Sequence, residues 1–212
     1  MTRNVFLFDL DGTLTDPGLG IKNSIRHALK RFGMPPLDEG TLDLFIGPPL
    51  LDSFARYCSA TEEQARELLR LYREYFSTKG IYENLLFAEI PSVLETLKQR
   101  GCTLCLATSK PEVFAKQILE HFDLLRFFDF VGGSTMDETR TEKDEVIAYV
   151  LSETGVSPEN AVMVGDRLFD VEGGRKNGLY TVGVLYGYGS REELTAAGAD
   201  RLVSAPYELL EL

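Results

Sequence analysis

Asp9 and Asp11 stand two apart at the end of an apolar run, in the stretch FLFDLDGTLTDPG at 6–18. If the chain stays extended there, a side-chain period of two puts both carboxylates on one side, and Gly12 then permits a turn. Other apolar segments run into polar groups in the same way. The segment 102–107 leads to Thr108 and Ser109, 161–165 leads to Asp166 with Asp170 four residues on, and Lys143 falls where a helix should begin. Carboxylates brought this close repel unless something positive lies among them. A hard divalent cation with oxygen ligands is the economical answer, and Mg2+ is the expected one; Lys143 adds a second positive charge. Such a set suits phosphoryl transfer. The cation and Lys143 neutralise phosphate oxygens, while Thr108 and backbone N–H groups donate hydrogen bonds to them. One carboxylate can attack phosphorus and form an aspartyl-phosphate. The other can protonate the leaving oxygen and then activate water.

Groups so far apart in sequence meet only if several strands end at one edge. Residues 4–9 read as a strand, and further strands are predicted at 102–107, 128–132, 161–165, 180–184 and 200–203. Helices fall between them: from Pro91 to Gly101, from Pro111 onward, and from 142 to Gly155. This alternation predicts a parallel sheet covered on both faces, and in such sheets ligands bind beyond the carboxyl ends of the strands. A helix starting at Pro111 would turn its positive end toward that edge. Between about 17 and 80 there is no good strand. Ile21, Ile25, Ala28, Leu29 and Phe32 recur at helical spacing, as do Leu51, Phe54, Ala55 and Cys58. A third helix opens with Thr61 and Gln64 in a capping box and buries Ala65, Leu68, Leu69, Tyr72 and Phe76. The expected fold is therefore α/β, with a Rossmann-like parallel sheet core at 1–16 and 82–212 and an inserted α-helical cap at 17–81.

The 212 residues carry a formal net charge of −11. So acidic a chain is a poor partner for a nucleic-acid polymer or an anionic membrane, because phosphate neutralisation needs clustered lysine and arginine. No apolar run approaches the ~18 residues of a membrane span, and MTRNVFLFDLDG runs into acids too soon for a secretory leader. Three cysteines argue against a disulfide framework, so a cytoplasmic location is expected. Cys102 and Cys105 form a CxxC within a strand, where a spacing of three puts the thiols on opposite faces. His27 and His121 sit alone in helical patterns and read as structural.

The segments DLDGTLTD, ATSKP, Lys143 and GDRLFD, in that order, resemble the four signature motifs of the haloacid dehalogenase superfamily of phosphatases. The resemblance implies Asp9 as nucleophile and Asp11 as general acid/base, with Thr108, Ser109 and Lys143 as phosphate ligands. It implies metal ligation by the Asp9 carboxylate, the Asp11 backbone carbonyl and Asp166. Asp170 would hold water or Lys143 behind the ligands. The dehalogenases of the superfamily lack the second aspartate of the first motif, so Asp11 points to phosphate chemistry. The helical insertion is similar to the cap of the phosphoglycolate phosphatases, and FIGPPL, SKPEVFAKQILEHF and GVLYGYGSREEL look closer still to a branch with 5′-nucleotidase-like members. In capped members a loop between cap helices dips into the site, which implies a substrate-binding role for Gly47. The expected partner is a small phosphorylated metabolite, a 5′-nucleotide or phosphoglycolate. Glu138, in DETRTEK, stands where a small turn residue is expected.

Two other readings fit less well, and a third stays open. An EF-hand loop needs glycine at its sixth position, and Gly12 is at the fourth. A receiver-like signalling module also gathers acids, a Thr and a Lys around Mg2+, but it lacks a helical insertion after its first strand. A phosphomutase of the same superfamily would need the same four motifs. The aromatics Phe54, Tyr57, Tyr72, Tyr75 and Phe76 read as bundle core rather than a substrate platform, and Lys22, Arg26 and Arg56 as solvated helix faces.

Overall fold

Val5–Phe8 forms strand β1, and all four of its residues are buried. It is apolar without alternation because helices cover both faces of the sheet it belongs to. The structure, a computed structural model, describes residues 3–212, so the first two residues of the expected core segment lie outside the described residues. The chain divides into two compact units. One holds the N-terminal residues through Thr15 together with Leu86–Leu212, and the other is Asp16–Leu85. The short strands β2 (Thr15–Asp16) and β3 (Leu85–Leu86) pair with each other where the chain passes between units.

In the helical unit, α1 (Gly18–Phe32) packs along α4 (Glu62–Phe76), with α2 (Glu39–Asp43) and α3 (Leu50–Cys58) between them in sequence. The Thr61–Gln64 capping box is present: Gln64 N–H donates to Thr61 Oγ1 at 3.3 Å and Thr61 N–H to Gln64 Oε1 at 2.9 Å. Phe54, Tyr72 and Phe76 are buried, and the Phe45 and Phe54 rings lie 5.3 Å apart. The short α2 has no apolar stripe for periodicity to reveal. It is fixed instead by Asp38, whose carboxylate accepts the Thr41 N–H at 3.0 Å.

In the other unit, α5 (Ile90–Gln99) leads to β4 (Thr103–Pro111), α6 (Glu112–His121) and β5 (Phe130–Ser134). Then come α7 (Lys143–Thr154), β6 (Ala161–Gly165), α8 (Leu168–Lys176), β7 (Tyr180–Val184), α9 (Arg191–Ala197) and β8 (Arg201–Val203). The six long strands make one sheet in the order β5-β4-β1-β6-β7-β8, and each neighbouring pair is parallel. The order reverses at β1, flanked by β4 and β6. At such a switch point successive connections leave to opposite sides and open a crevice at the carboxyl edge. The motif residues sit just beyond β1 and β6, within β4, and at the starts of α7 and α8.

The junction of β4 and α6 differs from the sequence expectation. β4 continues through the Thr-Ser-Lys-Pro segment to Pro111, and the register against β5 shifts between Thr108 and Pro111. Helix α6 consequently starts at Glu112, with Pro111 as its cap. Cys102 precedes β4 and Cys105 is buried in it; both, like Cys58, are free thiols. Glu138 lies in the left-handed region at φ 62°, which is why a small turn residue is expected there.

Candidate active site

The Asp9 N–H still donates to the Val164 carbonyl of β6 at 2.9 Å, and beyond it the chain closes a tight turn in which the N–H groups of Thr13, Leu14 and Thr15 all converge on the Leu10 carbonyl. The alternation rule therefore stops at Asp9. Asp9 and Asp11 are held by different lysines: Lys143 Nζ lies 2.7 Å from Asp9 Oδ1, and Lys110 Nζ lies 2.8 Å from Asp11 Oδ2. Lys110 is a site residue that sequence reasoning missed.

Lys143 is the first residue of α7 and is buried. A cation at the positive end of a helix is poorly placed, and burial opposes its charge as well. Asp170 and Asp9 more than offset this and hold its pKa above the ordinary lysine value. Its Nζ lies 2.8 Å from Asp170 Oδ1 and donates to the Ala107 carbonyl at 3.1 Å. With Asp9 Oδ1 that puts three oxygens around the ammonium, one carbonyl that accepts a hydrogen bond and two carboxylates held as ion pairs. In this state Lys143 is first a clamp on Asp9 and Asp170.

Asp166 follows β6 and is fully buried. Its Oδ2 accepts the Tyr188 N–H at 2.8 Å, and Thr13 Oγ1 lies 3.4 Å from its Oδ1. The Tyr186 hydroxyl donates to the Thr13 carbonyl at 3.2 Å. Glycines make this approach possible: a Cβ at Gly12 or Gly187 would fall onto the Asp166 side chain, and one at Gly189 onto its backbone carbonyl. The pairing of tyrosines with glycines in LYGYG is a sequence signal for such a loop, although it names no partner.

Asp170 is in the first turn of α8, where its Oδ2 accepts the Arg167 N–H at 3.0 Å. It thus caps the helix and pairs with Lys143 at once. Carboxylate oxygens of Asp9, Asp166 and Asp170 all lie within 4.8 Å of one another. Burial raises the Asp166 pKa well above the usual carboxylate range, with Asp170 and Asp9 adding to it. Burial also pushes Asp170 up to about 6 against the pull of Lys143. Asp11 is raised too, by burial, with Lys110 opposing.

Four carboxylates thus face two ammonium groups, an excess of two negative charges if all are ionised. Asp9 Oδ1 and Asp170 Oδ1 are close to Lys143 but not aligned to accept hydrogen bonds, and both are buried. The excess negative charge and the buried carboxylate oxygens without hydrogen-bond partners fit a hard divalent cation.

Thr108 is buried at the bend in β4, and its Oγ1 accepts the Lys110 N–H at 3.3 Å. Its own O–H remains to donate. Ser109 is half-buried between them. Gly47 belongs to the helical unit, between α2 and α3, with φ 108°. The lone histidines lie outside the carboxylate cluster: His27 packs on Tyr75 and His121 on Phe122.

The sequence profile of the haloacid dehalogenase-like hydrolases matches residues 6–184, a span that takes in Asp9, Asp11, Thr108, Lys143, Asp166 and Asp170. The chain belongs to that family. This haloacid dehalogenase-like hydrolase is 48% identical over 190 residues to the 5′-nucleotidase of Pseudomonas aeruginosa, covering 90% of this chain and 86% of that protein. It is 39% identical over 183 residues to the tyrosine-protein kinase PtkA of Mycobacterium tuberculosis, covering 86% of this chain and 62% of PtkA. The phosphoglycolate phosphatase of Aquifex aeolicus is 30% identical over 209 residues, covering 98% of this chain and 95% of that one. Among solved structures, a Clostridium acetobutylicum chain described as a predicted phosphatase superposes with a TM-score of 0.96 at 44% identity, with each chain fully covered. Among the described residues no helix of this hydrolase is long and apolar enough to cross a membrane.

Proposed function

We propose that this hydrolase is a Mg2+-dependent phosphatase of small phosphomonoesters that works through an aspartyl-phosphate on Asp9. The observation that carries the reading is the buried Asp9 carboxylate, clamped by Lys143 at 2.7 Å, with Asp166 and Asp170 beside it and Asp11 held separately by Lys110. Asp9, Asp166 and the Asp11 backbone carbonyl would hold the metal, with Asp170 behind them. When bound, Mg2+ would supply Lewis-acid stabilisation of charge on the phosphoryl oxygens.

The chain's own groups do the rest. The Asp9 carboxylate attacks phosphorus as the bond to the leaving oxygen breaks, and Asp11 gives that oxygen its proton. Water then attacks phosphorus, Asp11 takes its proton, and the bond from Asp9 to phosphorus breaks. An alcohol and inorganic phosphate leave, and Asp9 and Asp11 return to their starting forms. The Thr108 hydroxyl donates to a phosphoryl oxygen, with Ser109 beside it. Lys143 keeps Asp9 oriented and offsets the anion's charge. Activity is expected to vanish in excess chelator and to return with Mg2+, whereas Ca2+ inhibits because it prefers more ligands at longer distances. Full activity in chelator refutes the metal requirement.

We assign the choice of leaving group to the helical unit and rank nucleoside 5′-monophosphates ahead of phosphoglycolate. Phosphoglycolate carries a carboxylate that calls for a dedicated cation. Lys22 is already paired with Asp43 at 3.0 Å, and Arg26 is paired with Glu39. Arg56 lies over the Tyr57 ring at 5.5 Å. A nucleoside needs room, apolar walls and one or two hydrogen-bonding groups, which Pro48, Pro49 and Leu50 beside Gly47 suit. A cytoplasmic setting accords with the three free thiols. The test is a phosphate-release screen with kcat/KM measured side by side for several 5′-mononucleotides and phosphoglycolate. The mononucleotides are expected to win, and a phosphoglycolate advantage above about tenfold reverses the ranking. Isomerised sugar phosphate without phosphate release would instead mark a phosphomutase.

A further inference from the structure

We infer that Lys110 is a positioning residue for Asp11, anchoring one carboxylate oxygen so that the other carries the proton to and from substrate. The inference rests on the phosphatase reading, in which Asp11 is the acid/base.

The geometry singles out the two oxygens. Lys110 Nζ lies 2.8 Å from Asp11 Oδ2, with the two side chains only 6% and 14% exposed. Asp11 Oδ1 is buried and has no hydrogen-bond partner. An unsatisfied buried carboxylate oxygen is costly, and such atoms persist where a substrate or water is meant to supply the missing bond. The backbone on either side is already fixed. Gly12 N–H donates to the Thr15 carbonyl at 2.7 Å, and Asp11 bridges to Thr15. The freedom left to Asp11 is rotation of its side chain, which is what an ion pair at Oδ2 restrains.

Lys110 is itself held for this task. Its N–H donates to Thr108 Oγ1 at 3.3 Å, at the point where β4 slips register against β5. The bend delivers a buried ammonium to the first motif from a neighbouring strand. A long side chain restrained in this way loses rotamer freedom on folding rather than at each turnover. In the first half-reaction the proton goes from Asp11 Oδ1 to the leaving oxygen. In the second it returns to Oδ1 from the attacking water, while Oδ2 stays on Lys110 throughout.

The test is a double-mutant cycle of Lys110→Met and Asp11→Asn, with Lys110→Arg as the charge-keeping variant. Phosphate release is measured for an alkyl phosphomonoester and for an aryl phosphate. Lys110→Met is expected to lower kcat for the alkyl ester about 10- to 100-fold and to spare the aryl phosphate within about threefold, because only the poor leaving group needs the proton. In the Asp11→Asn background the same substitution should cost less than about twofold, since both changes act through one group. Lys110→Arg should recover part of the alkyl-ester rate. Equal losses for both esters, or a full loss persisting in the Asp11→Asn background, overturn the inference and make Lys110 a phosphate ligand or a structural residue. The same cycle on thermal unfolding tests the contact without any activity, and additive shifts in Tm overturn the pairing. If the wild type releases no phosphate while the Tm cycle shows coupling, the phosphatase reading fails and the pair stands.

Discussion

Asp9→Asn is expected to abolish phosphate release, by at least about 10⁴-fold in kcat, with the fold unchanged. An amide is no nucleophile toward phosphorus, and losing the nucleophile of a set that acts as a unit costs nearly everything the set provides. The loss should be the same for every leaving group, because no phosphoryl group is transferred at all. The fold survives for a reason visible in the charges. Asp9 shares Lys143 with Asp170 and lies against Asp166. Removing one negative charge leaves Lys143 paired and relieves repulsion that, together with burial, raises the Asp166 pKa. The metal-free variant should therefore melt no lower than the wild type. Folded protein that retains a substantial share of wild-type turnover, measured with purified enzyme, sinks the assignment of Asp9.

Asp11→Asn should behave differently. Turnover should fall about 10²- to 10⁴-fold, the usual worth of a general acid/base, while substrate and metal binding are largely kept. The metal would meet Asp11 through its backbone carbonyl, which the substitution leaves in place. The loss should shrink for an aryl phosphate, whose leaving group departs without a proton. Plotting log kcat against leaving-group pKa for a series of esters gives the answer: the slope should steepen in the variant, and a parallel line excludes the acid role. The two aspartates are separable in this way because they sit on different lysines.

The sheet was legible because its strands are nearly continuous apolar runs ending in polar groups. β6 and β7 fall where the runs at 161–165 and 180–184 predict them. The three large helices of the insertion were legible from their 3.6-residue stripes and, for α4, from a capping box. The short α2 has no stripe and was not. Within the site, residues at strand ends and helix starts could be found from sequence, since topology alone carries them to the carboxyl edge. Lys110 could not. Its inward turn depends on the bend in β4, a register slip that no side-chain pattern announces. The contact of Tyr188 with Asp166 depends on Gly187 and Gly189 letting a loop lie against a buried carboxylate. Sequence spacing reports periodicity along one element. It does not report which loop closes over which strand.

The central claim is a covalent bond between Asp9 and phosphorus, and the most direct measurement is to trap it. Enzyme turning over a phosphomonoester in Mg2+ is quenched with acid, treated with borohydride to reduce the acyl phosphate, digested, and mapped by mass spectrometry. The account predicts that the peptide containing Asp9 carries the reduced product, homoserine at position 9, and that Asp9→Asn and substrate-free controls carry none. Modification at Asp11, Asp166 or Asp170, or turnover with no trapped carboxylate, would contradict it.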